Sequence, residues 1–197
     1  RDTIRKALTL LVEEGLVKKI HGSGSQVINQ EQINFPVSDL TSYQELMEQQ
    51  GIDSQTNVIS LDKIIVDSKL SEKTGFSSSQ QVWRVIRQRV VEGCASVVDI
   101  DYLDAKLIPQ LNRDIAKHSI YDYLENHLNL SISHAFKEIT IDNATEQDKI
   151  LIDLGKDLHV VCIRSKVYLS NGKQFQFTES RHKLEKFKFV DYAKRHH

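Results

Sequence analysis

Two arginines that are two positions apart, Arg87 and Arg89, lie in the predicted strand 82–91. Because successive side chains of a strand point to opposite faces, the two guanidinium groups share one face. Guanidinium groups bind phosphate or carboxylate oxygens through paired, charge-assisted hydrogen bonds. The spacing is typical of an anion site, but for an isolated pair a strand face with solvated arginines is the commoner explanation.

Hydroxyl groups at the start of two predicted helices are further candidates for binding an anion. Ser42 precedes Glu45 by three residues, the spacing of a capping box, and the free N–H groups of a helix N-terminus attract anions. Ser119 and Tyr121 lie at the start of another helix, where their hydroxyls are suited to complete a phosphate site. For Ser42 the alternative to anion binding is helix capping alone. For Tyr121 the alternative is a place in the hydrophobic core.

The motifs of common enzyme classes are absent from the sequence. No GxSxG, P-loop or HExxH motif occurs, and neither Cys94 nor Cys162 forms a recognisable arrangement with a histidine. The two cysteines have no CxxC spacing, so neither a disulfide framework nor a zinc ribbon is supported. We therefore expect no catalytic residue, no metal and no cofactor.

The composition predicts a folded, cytoplasmic chain. Of the 197 residues, 40% are hydrophobic and 27% are charged, and the formal net charge is −1. No apolar run approaches the ~20 residues that a spanning helix needs, and no secretory signal is visible. Because the chain starts with Arg1 rather than methionine, we also expect it to be part of a longer protein.

Charge is distributed unevenly along the chain, which bears on DNA binding. Residues 1–28 carry five basic side chains against three acidic ones, and residues 181–197 carry six against two. The segment between them is therefore acidic. A net charge near zero for the whole chain does not exclude a basic DNA-binding surface in the first 28 residues.

Hydrophobic spacing predicts the elements that position these residues. Residues 1–28 contain an amphipathic helical pattern, followed by two short strand patterns around a glycine-rich turn, which is the order of the second half of a winged helix. Further along the chain, strands are predicted at 58–66, 82–91, 96–103, 132–141, 160–169 and 173–182. Helices are predicted at 42–51, 108–116, 120–128 and 145–154. Tight turns at Glu92-Gly93 and Asn171-Gly172 favour antiparallel pairing, so we expect an α+β fold.

The first segment resembles the DNA-binding part of GntR-type transcriptional regulators. The residues that carry the resemblance are RDTIRKAL at 1–8, EGLV at 14–17 and GSGSQV at 22–27. They correspond to the family's recognition helix, turn and wing, and depart from its pattern mainly at Ser25, where the family usually has threonine. The resemblance implies that DNA is contacted by Arg1, Thr3, Arg5, Lys6, His21, Gly22, Ser23 and Gly24. A solvated helix face is the alternative for the polar residues of the helix.

The remainder resembles the UTRA effector domain of the HutC-like branch of that family, whose fold is like that of chorismate lyase. The matching motifs are LTSY at 40–43, RQR at 87–89, DY at 101–102, SIYDYL at 119–124 and KFKF at 186–189. Residues 178–191 are similar to repressors of trehalose operons. The resemblance implies a partial winged helix at 1–28, a linker at 29–35 and a UTRA domain at 36–197. It also implies a repressor that trehalose-6-phosphate releases from its operator.

The same resemblance implies which residues bind the effector. They are Ser42, Arg87, Arg89, Asp99, Ser119, Tyr121, Gln176, Glu179 and His182. The acidic group is expected at the two arginines, with Ser42 and Ser119 on the same side. Asp99, Gln176 and His182 are expected on the other side, and they differ from the residues of amino-sugar sites in a way that suits a neutral disaccharide. For Glu179, an ion pair with Arg181 is the alternative.

Two other functions stay open at this point. A regulator of the same family can respond to another small acid, such as a different sugar phosphate or an amino-acid derivative. An enzyme of chorismate-lyase-like fold is less favoured, because an enzyme has no use for a winged helix. For the repressor we expect a homodimer without a membrane partner, bound to operator half-sites ~34–36 Å apart.

Overall fold

The structure is a computed structural model that describes residues 2–13, 17–20, 24–27, 33–35 and 39–190. Helix α1 (Asp2–Glu13) precedes an antiparallel hairpin of β1 (Val17–Ile20) and β2 (Gly24–Val27). This is the predicted order of helix and hairpin.

The residues predicted to contact DNA are only partly described. Thr3, Arg5 and Lys6 are exposed on α1, and the exposed Gly24 begins β2 with a φ of 96°. A φ of this sign favours glycine because it has no Cβ. Arg1, His21, Gly22 and Ser23 lie outside the described residues.

A six-stranded sheet forms the centre of the fold, in the spatial order β4-β5-β6-β9-β8-β7. Its strands in chain order are β4 (Ser54–Ile65), β5 (Gln81–Val91), β6 (Cys94–Asp104), β7 (Ile132–Asn143), β8 (His159–Leu169) and β9 (Gln174–Lys183). Every neighbouring pair runs antiparallel. The predicted α+β class with a mostly antiparallel sheet is thus confirmed.

Short helices precede or connect the strands of this sheet. They are α2 (Tyr43–Gln50), α3 (Ser68–Thr74), α4 (Arg113–Lys117), α5 (Ile120–Asp122), which continues into a π-helical turn (Tyr123–His127), and α6 (Glu146–Leu151). The predicted helix 108–116 is wrong in its first half. Ile108 and Leu111 are buried core residues outside the helix, and α4 begins only after Asn112, whose side chain accepts from the Ile115 N–H at 2.9 Å.

The predicted turns close two hairpins of the sheet. Glu92 and Gly93 connect β5 to β6 with φ angles of 51° and 78°, as a tight left-handed turn requires. Gly172 takes a φ of 78° between β8 and β9. These turns hold β5 against β6 and β8 against β9, and so align the side chains of the site described below.

The described part of the segment 29–35 ahead of α2, residues 33–35, is packed into the fold. Its residues form β3 (Ile33–Asn34), which pairs in parallel with β10 (Phe187–Lys188) near the other end of the described chain. Ile33 and Phe35 are buried against Leu46 and Met47 of α2. The predicted linker at 29–35 stays a prediction, since residues 29–32 lie outside the described residues, and at its end Ile33 and Phe35 are buried beside the helix.

Among the described residues, no helix has the length and apolar character needed to cross a membrane.

Candidate functional site

A cavity of about 170 Å³ lies against one face of the central sheet. Its floor is made of side chains from the middle strands, and its walls come from the segment before α2 and the start of α5. The polar floor residues are Arg87, Arg89, Asp99, Asp101, Ser165, Gln176, Thr178, Ser180 and His182. The walls include Asp39 to Gln44 and His118 to Tyr121, and Lys137 reaches the cavity from the edge strand β7.

Strand register explains why the floor residues face the same way. Arg87 pairs with Asp99 across β5 and β6, and Asp99 pairs with Ser180 across β6 and β9. Directly paired residues project to the same face, and so does every second residue of each strand. The predicted shared face of Arg87 and Arg89 is therefore present, and it is the cavity face.

Both arginines are ion-paired within the floor. Arg87 Nη2 donates to Asp101 Oδ2 at 2.7 Å, and Arg89 Nε donates to Asp99 Oδ2 at 2.8 Å. Arg89 also donates to Thr56 Oγ1 at 2.6 Å and stacks over the Tyr43 ring at 4.2 Å. The two guanidinium groups thus lie in the cavity as neutral pairs with carboxylates.

Electrostatic forces in the floor keep Asp99 charged. Burial raises the pKa of this carboxyl, but the charges of Arg89 and then Arg87 outweigh the burial and lower it overall. Burial, together with the charge of Arg87, lowers the pKa of Arg89. The two ion pairs are therefore coupled, and loss of one group would leave an uncompensated charge in a buried place.

The expected division of the cavity into an arginine side and a sugar side stays a prediction. Asp99, which is expected on the sugar side, pairs with Arg87 in the register of β5 and β6, and its carboxylate reaches diagonally to Arg89. Gln176 Nε2 likewise donates to Asp101 at 2.7 Å, and Asp101 holds Arg87. The polar floor is one connected network rather than two separate ends.

Tyr121 connects the floor network to the wall. Its hydroxyl donates to Gln176 Oε1 at 3.1 Å, and its ring packs edge-on against Phe175. Burial raises the pKa of Tyr121, with a further contribution from the charge of Asp101. The ring of Tyr121 thus packs in the core, while its hydroxyl belongs to the polar network of the cavity. The sequence offered a core position and a site hydroxyl as alternatives, and both describe this residue.

Two helix caps form the wall opposite the floor. Ser42 Oγ accepts from the Glu45 N–H at 3.2 Å and the Ser42 N–H donates to Glu45 Oε2 at 2.8 Å, which confirms the predicted capping box. Ser119 Oγ accepts from the Asp122 N–H at 3.2 Å at the start of α5. Both capping serines line the cavity.

His182 lies in the floor with neither ring nitrogen hydrogen-bonded to the part of the chain that the structure describes. The side chain is 2% exposed and contacts two aromatic rings, Phe35 at 4.4 Å and Phe187 at 5.3 Å between ring centres. Burial lowers its pKa to about 4, against the opposing charge of Asp99. His182 is therefore a neutral group beside the cavity.

Glu179 does not lie in the cavity. It follows Thr178 on β9 and so projects to the opposite face of the sheet, where Lys73, Arg164 and Arg181 approach its carboxylate at 2.7, 3.3 and 3.1 Å. Its assignment to the effector is corrected, and the alternative ion pair with Arg181 is present. Because side chains alternate along β9, Glu179, three residues after Gln176, must lie on the face opposite to that of Gln176.

Sequence reasoning did not single out several residues that line the cavity. Thr178 and Ser180 follow Gln176 at alternate positions on β9, so the same alternation would have found them. Ser165 and Lys137 come from β8 and β7, and no local pattern marks them. Their place in the site depends on how distant strands pair.

Comparison with protein families gives one match that spans most of the chain. The sequence model of the UTRA domain matches residues 49–188. The HTH-type transcriptional regulator TreR of Bacillus subtilis (strain 168) is 40% identical over 195 residues, covering 99% of this chain and 82% of TreR. The HTH-type transcriptional repressor NagR of the same organism is 26% identical over 195 residues, covering 99% of this chain and 80% of NagR.

A solved structure has the same architecture. The effector binding domain of the Bacillus subtilis trehalose repressor (TreR) aligns with a TM-score of 0.66 and 38% sequence identity. The alignment covers 73% of this chain and 99% of that domain. The residues that the UTRA model matches, 49–188, include the whole central sheet.

Proposed function

This chain belongs to the UTRA domain family, and from that membership we propose that it is a transcriptional repressor that binds operator DNA in the cytoplasm and is released by a phosphorylated sugar. The proposed effector is trehalose-6-phosphate. The resemblance to trehalose-operon repressors and the 40% identity to TreR support this choice. We assign the chain no catalytic role, since its relatives are transcriptional regulators.

The observation that supports the proposal best is a polar cavity whose lining residues include buried nitrogen atoms without a hydrogen-bond partner among the described residues. Arg87 Nε and both ring nitrogens of His182 are fully buried and have no hydrogen-bond partner among the described residues. Buried polar groups are nearly always paired in folded proteins, so unpaired ones that line a cavity mark a place for a polar ligand. Hydroxyls and carboxylates around them suit the many hydroxyl groups of a sugar.

Calorimetry with three compounds tests the proposed effector. We expect trehalose-6-phosphate to bind at least about tenfold more tightly than trehalose or glucose-6-phosphate, roughly 1.4 kcal/mol in binding free energy, because only the first offers both a disaccharide and an anion. Equal and weak heats for all three would contradict the proposal. Tighter binding of glucose-6-phosphate would instead support the alternative regulator of another small acid.

Release from DNA is tested separately with the native protein. A gel shift on DNA from upstream of its own gene cluster should show weaker binding when the effector is added. Coupling between two sites is reciprocal, so operator DNA should weaken effector binding by the same factor. Sites one helical turn apart require two copies of the DNA-binding part, so we propose a homodimer as the active form.

A further inference from the structure

The positive charge of the two floor arginines is already matched. Arg87 and Asp101 are 9% and 1% exposed in their side chains, and Arg89 and Asp99 are 3% and 10% exposed. Each pair is a buried contact between opposite unit charges, so its field is short-ranged. A phosphate that enters the cavity therefore needs a further cation for its own charge.

Lys137 is a cation of the cavity without an ion pair in the described chain. Its Nζ donates to the backbone oxygen of Asp39 at 2.6 Å, at the segment that leads into α2. No carboxylate oxygen of the described residues lies within 4.0 Å of this nitrogen. An ammonium group has three donors, and this one contact leaves two for a ligand.

The surroundings of Lys137 favour an anion beside it. The side chain is partly buried, and burial lowers the pKa of Lys137, while the charge of the exposed Asp39 acts in the other direction. A bound phosphate would pair with the ammonium and reverse the effect of burial. Ser42, which caps α2, also lines the cavity, and the helix N-terminus behind it contributes partial positive charge near the same wall.

The floor next to Lys137 fits an elongated polyol. Lys137 pairs with Ser165, Ser165 with Thr178, and Thr178 with Asp101, across four adjacent strands. Neighbouring strands lie ~4.8 Å apart, so the Cα atoms of Lys137 and Asp101 are separated by roughly 14 Å. Two hydroxyl side chains thus occupy the row between a cation and the network of Gln176 and Asp101.

We propose that Lys137 binds the anionic group of the effector and selects a sugar phosphate over the unphosphorylated sugar. The remaining part of the sugar then lies along the row of Ser165 and Thr178 towards Asp101. This inference rests on the proposed function, because it concerns the same cavity. It adds a specificity-determining residue on β7, the strand at the edge of the sheet.

Calorimetry on Lys137→Met tests the assignment with trehalose-6-phosphate and trehalose as the two ligands. We expect at least about a tenfold loss of affinity for trehalose-6-phosphate and less than about a twofold change for trehalose, because only the first carries the charge that Lys137 contacts. Lys137→Arg keeps the charge and should retain affinity for the phosphorylated sugar within about threefold.

Lys166→Met is the matched control for a change in overall charge. Lys166 lies on the adjacent strand β8 but pairs with Phe136 and Phe177 on the opposite face of the sheet. Its removal should alter neither affinity by more than about twofold, because its half-buried side chain lies on the face of the sheet away from the cavity. An equal loss of affinity for trehalose-6-phosphate in Lys137→Met and Lys166→Met would overturn the proposal. It would indicate that the overall charge of the protein, and not a contact with Lys137, attracts the phosphate.

Inorganic phosphate gives a second measurement that does not depend on the sugar. We expect millimolar phosphate to raise the melting temperature of the wild-type protein and of Lys166→Met, and to raise that of Lys137→Met much less. If wild type binds trehalose-6-phosphate and Lys137→Met binds it equally well, Lys137 is not the anion ligand and the proposed function stands. If wild type binds neither sugar, the proposed function and this inference both fail.

Discussion

The buried ring of His182 makes the stability of the fold depend on pH. Burial lowers its pKa from 6.5 to about 4 in the folded protein. Between these values the unfolded chain binds a proton that the folded protein does not, so stability is lost as the pH falls through this window. The shift corresponds to about 3 kcal/mol. Urea unfolding at neutral pH and near pH 4 should reveal this loss in the wild type.

Variants isolate the contribution of this one residue. His182→Phe cannot take up a proton, so its free energy of unfolding should fall by about 3 kcal/mol less than that of wild type over the same window. His159→Gln removes an exposed histidine of β8 and should keep the wild-type dependence. Identical pH profiles for wild type and His182→Phe would contradict the assignment.

At the level of elements, two capping boxes of similar geometry permit a matched experiment. Ser42 caps α2 at the wall of the cavity, and Thr145 caps α6 through Asp148 away from it. Ser42→Ala and Thr145→Ala should each lower the free energy of unfolding by about 1 kcal/mol, because each loses a cap. Only Ser42→Ala should also weaken binding of trehalose-6-phosphate, as calorimetry would detect. A similar loss in both variants would mean that Ser42 acts through stability alone.

The elements that could be predicted from the sequence are those that local interactions determine. The capping box of Ser42, the Glu92-Gly93 turn and the shared face of Arg87 and Arg89 all depend on residues close in the chain. Helix α3 was missed although Asp67 caps it and Gly75 ends it, because its short apolar pattern is weak.

The parts that could not be predicted depend on pairing between distant strands. The sequence indicates that Arg89 needs a partner, but only the pairing of β5 with β6 brings Asp99 diagonally across from it. Lys137 belongs to the cavity because β7 pairs with β8, and nothing near Lys137 in the chain reveals this. Which residues line the cavity therefore depends on how all the strands of the sheet pair.

At the level of the whole molecule, Phe35 belongs both to the cavity and to the segment that precedes α2. Its ring lines the cavity against His182, and its N–H donates to the Lys188 oxygen at 2.9 Å. An effector that adds contacts to this wall should stabilise the hydrogen bond and slow exchange of the Phe35 amide by about tenfold at saturation.

Hydrogen exchange measured by nuclear magnetic resonance would test this coupling. The Ala144 amide donates to Leu158 at 2.8 Å outside the cavity and serves as the internal reference. Its exchange rate should change much less than that of Phe35 when trehalose-6-phosphate is added. Equal protection of the two amides would mean that the effector stabilises the fold uniformly and does not act on the segment before α2.

The parallel pairing of β3 with β10 has a consequence for protein engineering. Ile33 and Phe187 are register partners, so the chain enters and leaves the cavity-bearing domain about one strand spacing apart, ~4.8 Å. Adjacent entry and exit points are the geometric condition for placing a domain inside a surface loop of another protein. The domain therefore has the geometry of an insertable sensor module, in which a ligand-dependent change at Phe35 would be passed to the host through both junctions.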